Sequence, residues 1–434
     1  MTYEATAAWL RPRLWLGWVT AVVVWSIWFG SLALGGWTRD AEGQLLCADH
    51  IAFYSAARLI HAGRPADVYR LEAIGEVQKE ITGGTWPFYM AYRNPPFYAL
   101  LYIPTSGLPL PVSALIWTAI GLAAFAGAVW CLHPTHPWRV IGWSFAFYPF
   151  FATISFGQNS LLSLAIFAAV YRLLTDNQRF AAGLAAGLLW YKPQLLIGLF
   201  VWWGLAPRRF AWCWVGVVVT GIGLTEWSCL MVPDAAWGFV ETLEKNIGYG
   251  GEFGWNKHTP RAFWTLLLPR AGSGVVWGLT FVCVGAGLGV AVWVARRCGM
   301  AIATMFPVAI FLTLWASPHV LIYEWALLIP AAVVLWEQLP DRRDVWLSLF
   351  ALAWAGLTVS TIWTFVQDRF LHPFLKDHYG IDYPVMLQVS LPVLGVVGWL
   401  AARELGGGWG GRRFLHLRHL TIPEPDWQRD GLKD

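Results

Sequence analysis

The chain has 434 residues, of which 57% are hydrophobic and only 13% are Asp, Glu, Lys or Arg, against roughly 25% charged residues in ordinary globular chains. A soluble fold of this length would have too few charges to cover its surface. Composition therefore points to an all-α polytopic membrane protein and excludes disordered, collagen-like, coiled-coil and small disulfide-rich classes. The 30 basic and 26 acidic residues leave a net charge of +4 with no basic stripe, so no nucleic-acid partner is expected.

Apolar runs give the organisation. A helix crosses the hydrocarbon with about 20 apolar residues. Spans are predicted near 14–36, 109–132, 138–155, 159–173, 210–232, 273–296, 300–316, 319–337, 345–366 and 384–402. The stretch 180–206 is interrupted by Lys192-Pro193, and proline breaks a helical ladder. Positive charge decides how to read it, because Arg and Lys concentrate on the cytoplasmic side. Arg11, Arg13, Arg139, Arg172, Arg179, Arg208, Arg209, Arg296, Arg297, Arg342, Arg343 and Arg403 fall on one side only if 180–206 enters and returns as two short helices meeting near Lys192. That gives about 12 membrane segments with both termini in the cytoplasm.

The expected domain plan is a cytoplasmic N-terminus at 1–13, one transmembrane domain at 14–402 and a basic cytoplasmic tail at 403–434. The first span is expected to stay as an anchor, because it is too long and poorly flanked for a signal peptide. Segments 37–108, 233–260 and 367–383 are then external. In the first, Phe53, Ala56, Ala57, Leu59 and Ile60 pattern an amphipathic helix, so short helices lying on the membrane surface are expected there, with a half-inserted segment at 96–108. The 31 Trp residues, many near the ends of apolar runs, suit the headgroup level and bundle packing. Gly183-x-x-x-Gly187 and the Gly285, Gly287 and Gly289 run read as close helix packing.

The six cysteines are scattered without a C-x-x-C pair, so neither a zinc site nor a disulfide framework is expected. Phosphate-loop, zinc-protease and nucleophile-elbow motifs are absent, and a lipid-borne substrate is expected rather than a nucleotide-bound one. Lys192 is the sharpest feature: a lysine inside an apolar stretch is expensive and marks a functional site by default. It binds a phosphate or snorkels outward. Asp49, just beyond the first span, is either a helix N-cap or a general base whose pKa partial desolvation raises. Arg93 and Asn94 precede Pro95-Pro96 and line an anionic site or simply start the next segment. Gln158 and Asn159 lie at an external turn, Lys257, His258 and Arg261 in a cationic loop that begins at Glu252, and His319 and Glu324 after Ser317-Pro318. Each has a plain structural alternative.

Taken in order, Asp49-x-x-x-x-Tyr54-x-Ala56-Ala57, Gly63 with Val68-Tyr69, Asn94-Pro95-Pro96, Gly157-Gln158-Asn159, Tyr191-Lys192-Pro193-Gln194 and Ser317-Pro318-His319 resemble glycosyltransferase family 87. These are the polyprenol-phosphate-mannose-dependent α-1,2-mannosyltransferases of the GT-C class, and the resemblance runs over roughly 10–340. Where the best-studied members carry several histidines after the Ser-Pro pair, this chain has only His319 and then Val320-Leu321-Ile322-Tyr323.

The resemblance implies a GT-C-type bundle in the cell inner membrane with its active site facing the periplasm or exterior. It implies a sugar donor on polyprenyl phosphate, a lipid-linked or glycan acceptor, and an acidic residue of the first external loop, here Asp49, as catalytic base. The expected reaction is an inverting, metal-independent and cofactor-free transfer, most simply of mannose. Lys192, Lys257, Arg261 and Arg93 are the expected phosphate contacts. His258, His319, Tyr54, Gln158, Asn159, Asn94, Gln194 and Glu324 are the further substrate contacts. A lipid-linked-sugar flippase and an enzyme using another polyprenyl-phosphate sugar, such as arabinofuranose, are the alternatives. The absence of a visible internal repeat and the gathering of polar candidates at one face favour the enzyme.

Overall fold

The computed structural model describes residues 2–84, 90–246, 256–381 and 385–407. Among the described residues every regular element is helical, and β-pairing is limited to two isolated bridges, Arg39 with Leu45 and Lys257 with Leu321. Helices are what an apolar solvent demands, since they satisfy their backbone groups internally. Five stretches are long and apolar enough to cross a bilayer: Trp15–Leu34, Leu110–Leu132, Ala211–Met231, Ser273–Cys298 and Pro340–Tyr379. Their outer faces leave Val22, Ile27, Leu34, Trp130, Leu230 and Phe281 exposed, an apolar surface on the scale expected of a lipid-facing protein.

Two predicted spans differ in detail. The stretch 138–155 is two helices, Pro137–Phe145 and Tyr148–Phe156, because Pro149 cannot donate to a continuing ladder. The stretch 319–337 opens with a 3-10 helix, Ile322–Leu327, before the helix Leu328–Gln338.

The segment 180–206 is a hairpin. Helix Arg179–Gly187 tightens into a 3-10 turn at Leu188–Tyr191, the chain breaks at Lys192 (φ −137°, ψ 73°), and Pro193–Leu196 leads into helix Ile197–Gly204. Arg179 donates to the carbonyl of Arg209 at 2.7 Å, so the segment ends where it began. At helical rises of 1.5–2.0 Å per residue, Lys192 stands roughly 20 Å from that end.

Both limbs are held by close backbone approach. A Cβ on Gly183 would fall 2.2 Å from the Cys213 carbonyl oxygen, and one on Gly198 1.8 Å from that of Ala309. In the predicted Gly285–Gly289 packing run only Gly287 meets a neighbour, the Trp315 ring.

Arg11 is ion-paired with Asp344, and Arg342 with Glu404 at 3.4 Å. The N-terminal segment, the start of Arg343–Val366 and helix Ser390–Gly407 therefore meet at one end of the bundle. Between the first two long helices lie the short helices His50–His61, Leu71–Thr82, Pro96–Leu100 and Ile103–Ser106. Helix His50–His61 does not lie on the surface as the spacing of Phe53, Ala56, Ala57, Leu59 and Ile60 predicts. His50 to Ala57 are buried without a break, as is Leu59, and Ile60 is only half-buried, because neighbouring segments pack around the helix.

Candidate active site

Asp49 precedes helix His50–His61, but its carboxylate makes no capping hydrogen bond. Backbone contact holds it instead, the Asp49 N–H donating to the Phe156 carbonyl at 2.9 Å. The segment after Phe156 must turn sharply there, and Gly157 does so with φ +70°. A Cβ at this glycine would fall 2.5 Å from Cys47 Cβ and 3.0 Å from His50 Cβ. Glycine is thus required by conformation and by space. Its consequence is that Gln158 arrives directly beside Asp49.

From there a continuous polar chain runs inward. Gln158 Nε2 donates to Asp49 Oδ2 at 2.7 Å, Lys192 Nζ donates to Gln158 Oε1 at 3.4 Å, and Lys192 Nζ donates to Glu324 Oε1 at 2.8 Å. Glu324 Oε2 accepts the Leu321 N–H at 2.9 Å. The Tyr323 ring lies 5.4 Å from Lys192 Nζ, within cation–π range, and its hydroxyl is within hydrogen-bonding reach of Asp49. Lys192 is only 9% and Glu324 3% exposed, so Lys192 does not snorkel to solvent. The ion pair removes the cost of leaving either charge buried alone.

Burial pushes the Asp49 carboxyl up to about 6. The Gln158 hydrogen bond and the Lys192 charge pull the other way, and Glu324 adds to the rise. Protein atoms surround the group on nearly every side, yet the residue keeps partial solvent access. A carboxylate so placed is close to half protonated in mildly acid solution, which suits a general base. Around His319 the electrostatic influence of Lys257, Arg93, Lys192 and Arg261 converges. Four cations thus act on His319, and of these Lys192 also acts on both Asp49 and Glu324.

The other predicted residues fall nearer or farther. Asn94 Nδ2 donates to the Tyr191 carbonyl at 2.9 Å, bracing the residue before Lys192, and Arg93 is exposed beside it. Lys257 bridges to Leu321, its carbonyl accepts from Gln388 at 2.7 Å, and the His258 N–H donates to Val320 at 3.1 Å. This fastens the cationic loop to the strand-like segment ahead of Glu324.

Both ring nitrogens of His258 are engaged, Nδ1 with Ser390 at 2.6 Å and Nε2 with Thr361 at 3.1 Å. Burial pushes its pKa down to about 3. Its ring ties helices together rather than facing Asp49. Arg261 lies over Trp277 at 4.5 Å, and Tyr54 donates to the Leu108 carbonyl at 2.5 Å. Gln194 is half-buried in the turn after Lys192, and Asn159 is buried beside Gln158. Glu252, Phe253, Gly254 and Trp255 lie outside the described residues, as do 382 and 383 of the third predicted external segment and 408–434 of the basic tail.

Sequence reasoning left Tyr323 out of the candidate site. Its only signal was adjacency to Glu324, since a 3-10 turn is needed to bring both toward Lys192. Among the described residues no group of three or more His, Cys, Asp or Glu is placed to hold a metal ion.

Fold and site together define a membrane protein, helical throughout its described residues, that buries the Lys192–Glu324 ion pair next to a carboxylate with solvent access. The family model for glycosyltransferase family 87 matches residues 92–318, more than half of the chain, and the chain belongs to that family: it is a membrane glycosyltransferase. It is also 26% identical over 397 residues, 85% of this chain and 84% of the other, to a protein of Mycobacterium tuberculosis (strain CDC 1551 / Oshkosh). That relative is a polyprenol-phosphate-mannose-dependent alpha-(1-2)-phosphatidylinositol pentamannoside mannosyltransferase. No solved structure matches significantly.

Proposed function

We propose that this glycosyltransferase moves mannose from a polyprenyl-phosphate donor to a hydroxyl of a lipid-linked or glycan acceptor, with inversion and without a metal, at the external face of a cell membrane. The observation that carries the reading is the Asp49–Gln158–Lys192–Glu324 chain, which sets a base and a phosphate-binding cation on the two ends of one amide. The dependence of the Mycobacterium relative on polyprenol-phosphate-mannose supports the donor class.

In the proposed step Asp49 accepts the acceptor hydroxyl's proton while that oxygen bonds to the anomeric carbon. The bond from that carbon to the phosphate oxygen breaks, its electron pair leaving with polyprenyl phosphate. Lys192, Lys257, Arg93 and Arg261 stabilise the departing charge, and His319 stands among them. Glu324 holds Lys192 in place and shares it with the phosphate. Base catalysis supplies about 10²–10⁴-fold and each charge stabiliser a comparable factor.

The proposed topology is about 12 membrane segments with cytoplasmic termini and external segments 37–108, 233–260 and 367–383. The Arg179–Arg209 contact supports it by returning the hairpin to its arginine-rich end. Purified protein in liposomes, given a labelled polyprenyl-phosphate mannose and a lipid-linked mannoside, tests the function. Label in the acceptor is the expected outcome. Donor crossing the bilayer without transfer would instead identify a flippase.

A further inference from the structure

A second polar feature lies against the site, on the His50 flank of Gln158. A cavity of about 20 Å³ is lined by His50, Tyr102, Trp117, Thr118, Gln158 and Asn159 among others. That is room for one water or one hydroxyl group. Asn159 is 5% exposed, and neither its Nδ2 nor its Oδ1 has a hydrogen-bond partner. The Tyr98 hydroxyl, shared with Tyr102 at 3.1 Å, is within reach of the amide N–H alone, which leaves the Asn159 oxygen to be satisfied. A buried amide without a well-formed hydrogen bond is costly, and few native groups are left so.

The other polar groups of the wall are already occupied. His50 Nε2 is 3.0 Å from Ser113 Oγ, Ser113 donates to Thr105 at 3.0 Å, and Trp117 Nε1 donates to the same Thr105 oxygen at 3.1 Å. Tyr102 and Trp117 stack with centroids 3.9 Å apart, giving the wall a rigid aromatic face. No lysine or arginine lines this cavity. It therefore suits a neutral, hydroxyl-bearing group, whereas the phosphate-binding cations lie on the Lys192 side. In-line displacement needs the attacking oxygen and the departing phosphate on opposite faces of the anomeric carbon, and Asp49 and Lys192 stand at opposite ends of Gln158.

We infer that this cavity is an acceptor subsite, in which the Asn159 amide donates to and accepts from one hydroxyl of the acceptor sugar and so presents a neighbouring hydroxyl to Asp49. The assignment rests on the glycosyl-transfer reading above and adds to it which substrate the Asn159 pocket serves. A structural water is the competing occupant, and the two sources part under substitution.

The test uses purified full-length protein with labelled polyprenyl-phosphate mannose and two acceptor probes, octyl α-mannoside and a phosphatidylinositol mannoside, each compared with its monodeoxy forms. In the wild type one deoxy position is expected to raise acceptor KM by about tenfold or more, because it leaves the amide unpaired. Asn159→Leu should raise KM for the intact acceptor similarly, become indifferent to that same deoxy position, and leave donor KM unchanged. Gly121→Ala is the second variant. Its added methyl would meet Leu161 of the cavity wall at an ordinary 3.5 Å, so the fold is kept while the space shrinks, and acceptor KM should again rise alone.

Equal discrimination between intact and deoxy acceptors in wild type and Asn159→Leu overturns the subsite, as does a loss confined to donor KM. Either of those results leaves the glycosyl-transfer reading standing. Absence of transfer to every probe by the wild type overturns that reading, and the subsite falls with it.

Discussion

Lys192 and Glu324 form a buried ion pair, Nζ to Oε1 at 2.8 Å, with side chains only 11% and 4% exposed. The hairpin break at Lys192 and the 3-10 turn at Ile322–Leu327 bring the two together from distant parts of the chain. A lysine that otherwise could choose between solvent and substrate is thereby fixed at one address. In the proposed mechanism Glu324 lets the charge exist before a phosphate arrives, at the expense of some attraction once it does.

Substitutions at this pair should behave unlike those at an isolated cation. Lys192→Met strands the Glu324 carboxylate, and breaking a buried pair destabilises by about 3–5 kcal/mol. Lys192→Met combined with Glu324→Gln should recover most of that stability while donor affinity stays about 10²-fold down. Lys192→Arg should restore function only in part, since a planar fork does not occupy the place of a compact ammonium. Unfolding curves in detergent and donor-lipid binding read the two effects separately. Recovery of donor binding in the double variant would remove Lys192 from the phosphate site.

Asp49 gives a pH prediction with a definite sign. Its carboxyl is raised to about 6 by burial, and only the ionised form accepts a proton. Turnover should therefore rise with pH up to about 6, level off above it, and fall about tenfold per unit below it. His50 and His258 are pushed by burial down to about 4 and about 3, so both stay neutral through that window and neither contributes to the limb. Asp49→Asn should lower transfer by at least about 10²-fold and abolish the limb, with donor binding kept. An unchanged pH profile in Asp49→Asn would assign the limb to another group.

Topology can be read by labelling from outside. Asp67 is engaged by Arg64 and Arg70 at 2.7 and 3.1 Å, so Glu76 of the same proposed external segment, 72% exposed and only loosely paired with Arg64 at 3.8 Å, is the better probe. With the exposed Cys229 replaced, Glu76→Cys should react with an impermeant thiol reagent in intact cells and Arg342→Cys should not. The reverse pattern would move Asp49 to the cytoplasmic face.

How much of this was legible in the sequence depends on the range of the interaction. The five long helices follow from runs of apolar residues, and the hairpin from one Lys-Pro pair and the arginines flanking it. The short helix His50–His61 follows from the spacing of Phe53, Ala56, Ala57 and Leu59. Each is a local pattern. The link from Asp49 through Gln158 to Lys192 joins three separate elements, and no local pattern states that a glutamine will present one amide atom to each. His258 shows the converse. Its cationic neighbours advertise a binding role, while its ring is committed to Ser390 and Thr361, residues far along the chain whose approach no short motif encodes.

The glycine that makes the link possible offers the last test. Gly157 adopts φ +70°, and a Cβ there would meet Cys47 Cβ at 2.5 Å and His50 Cβ at 3.0 Å. Gly157→Ala adds the left-handed strain of a residue with a Cβ, about 1–2 kcal/mol, and drives the Cys47–Asp49 segment away from the turn. Neither Cys47 nor His50 is a free side-chain tip at the point of contact, so the backbone itself must yield. Gln158 should then lose its hold on Asp49 while Lys192 keeps Glu324, because that pair lies on other elements. Transfer should fall at least about tenfold and the acid limb should move, since the hydrogen bond that opposes the raised pKa is gone. The shift should be upward. A Gly157→Ala enzyme with normal turnover and an unmoved acid limb would show that the Asp49–Gln158 contact is dispensable.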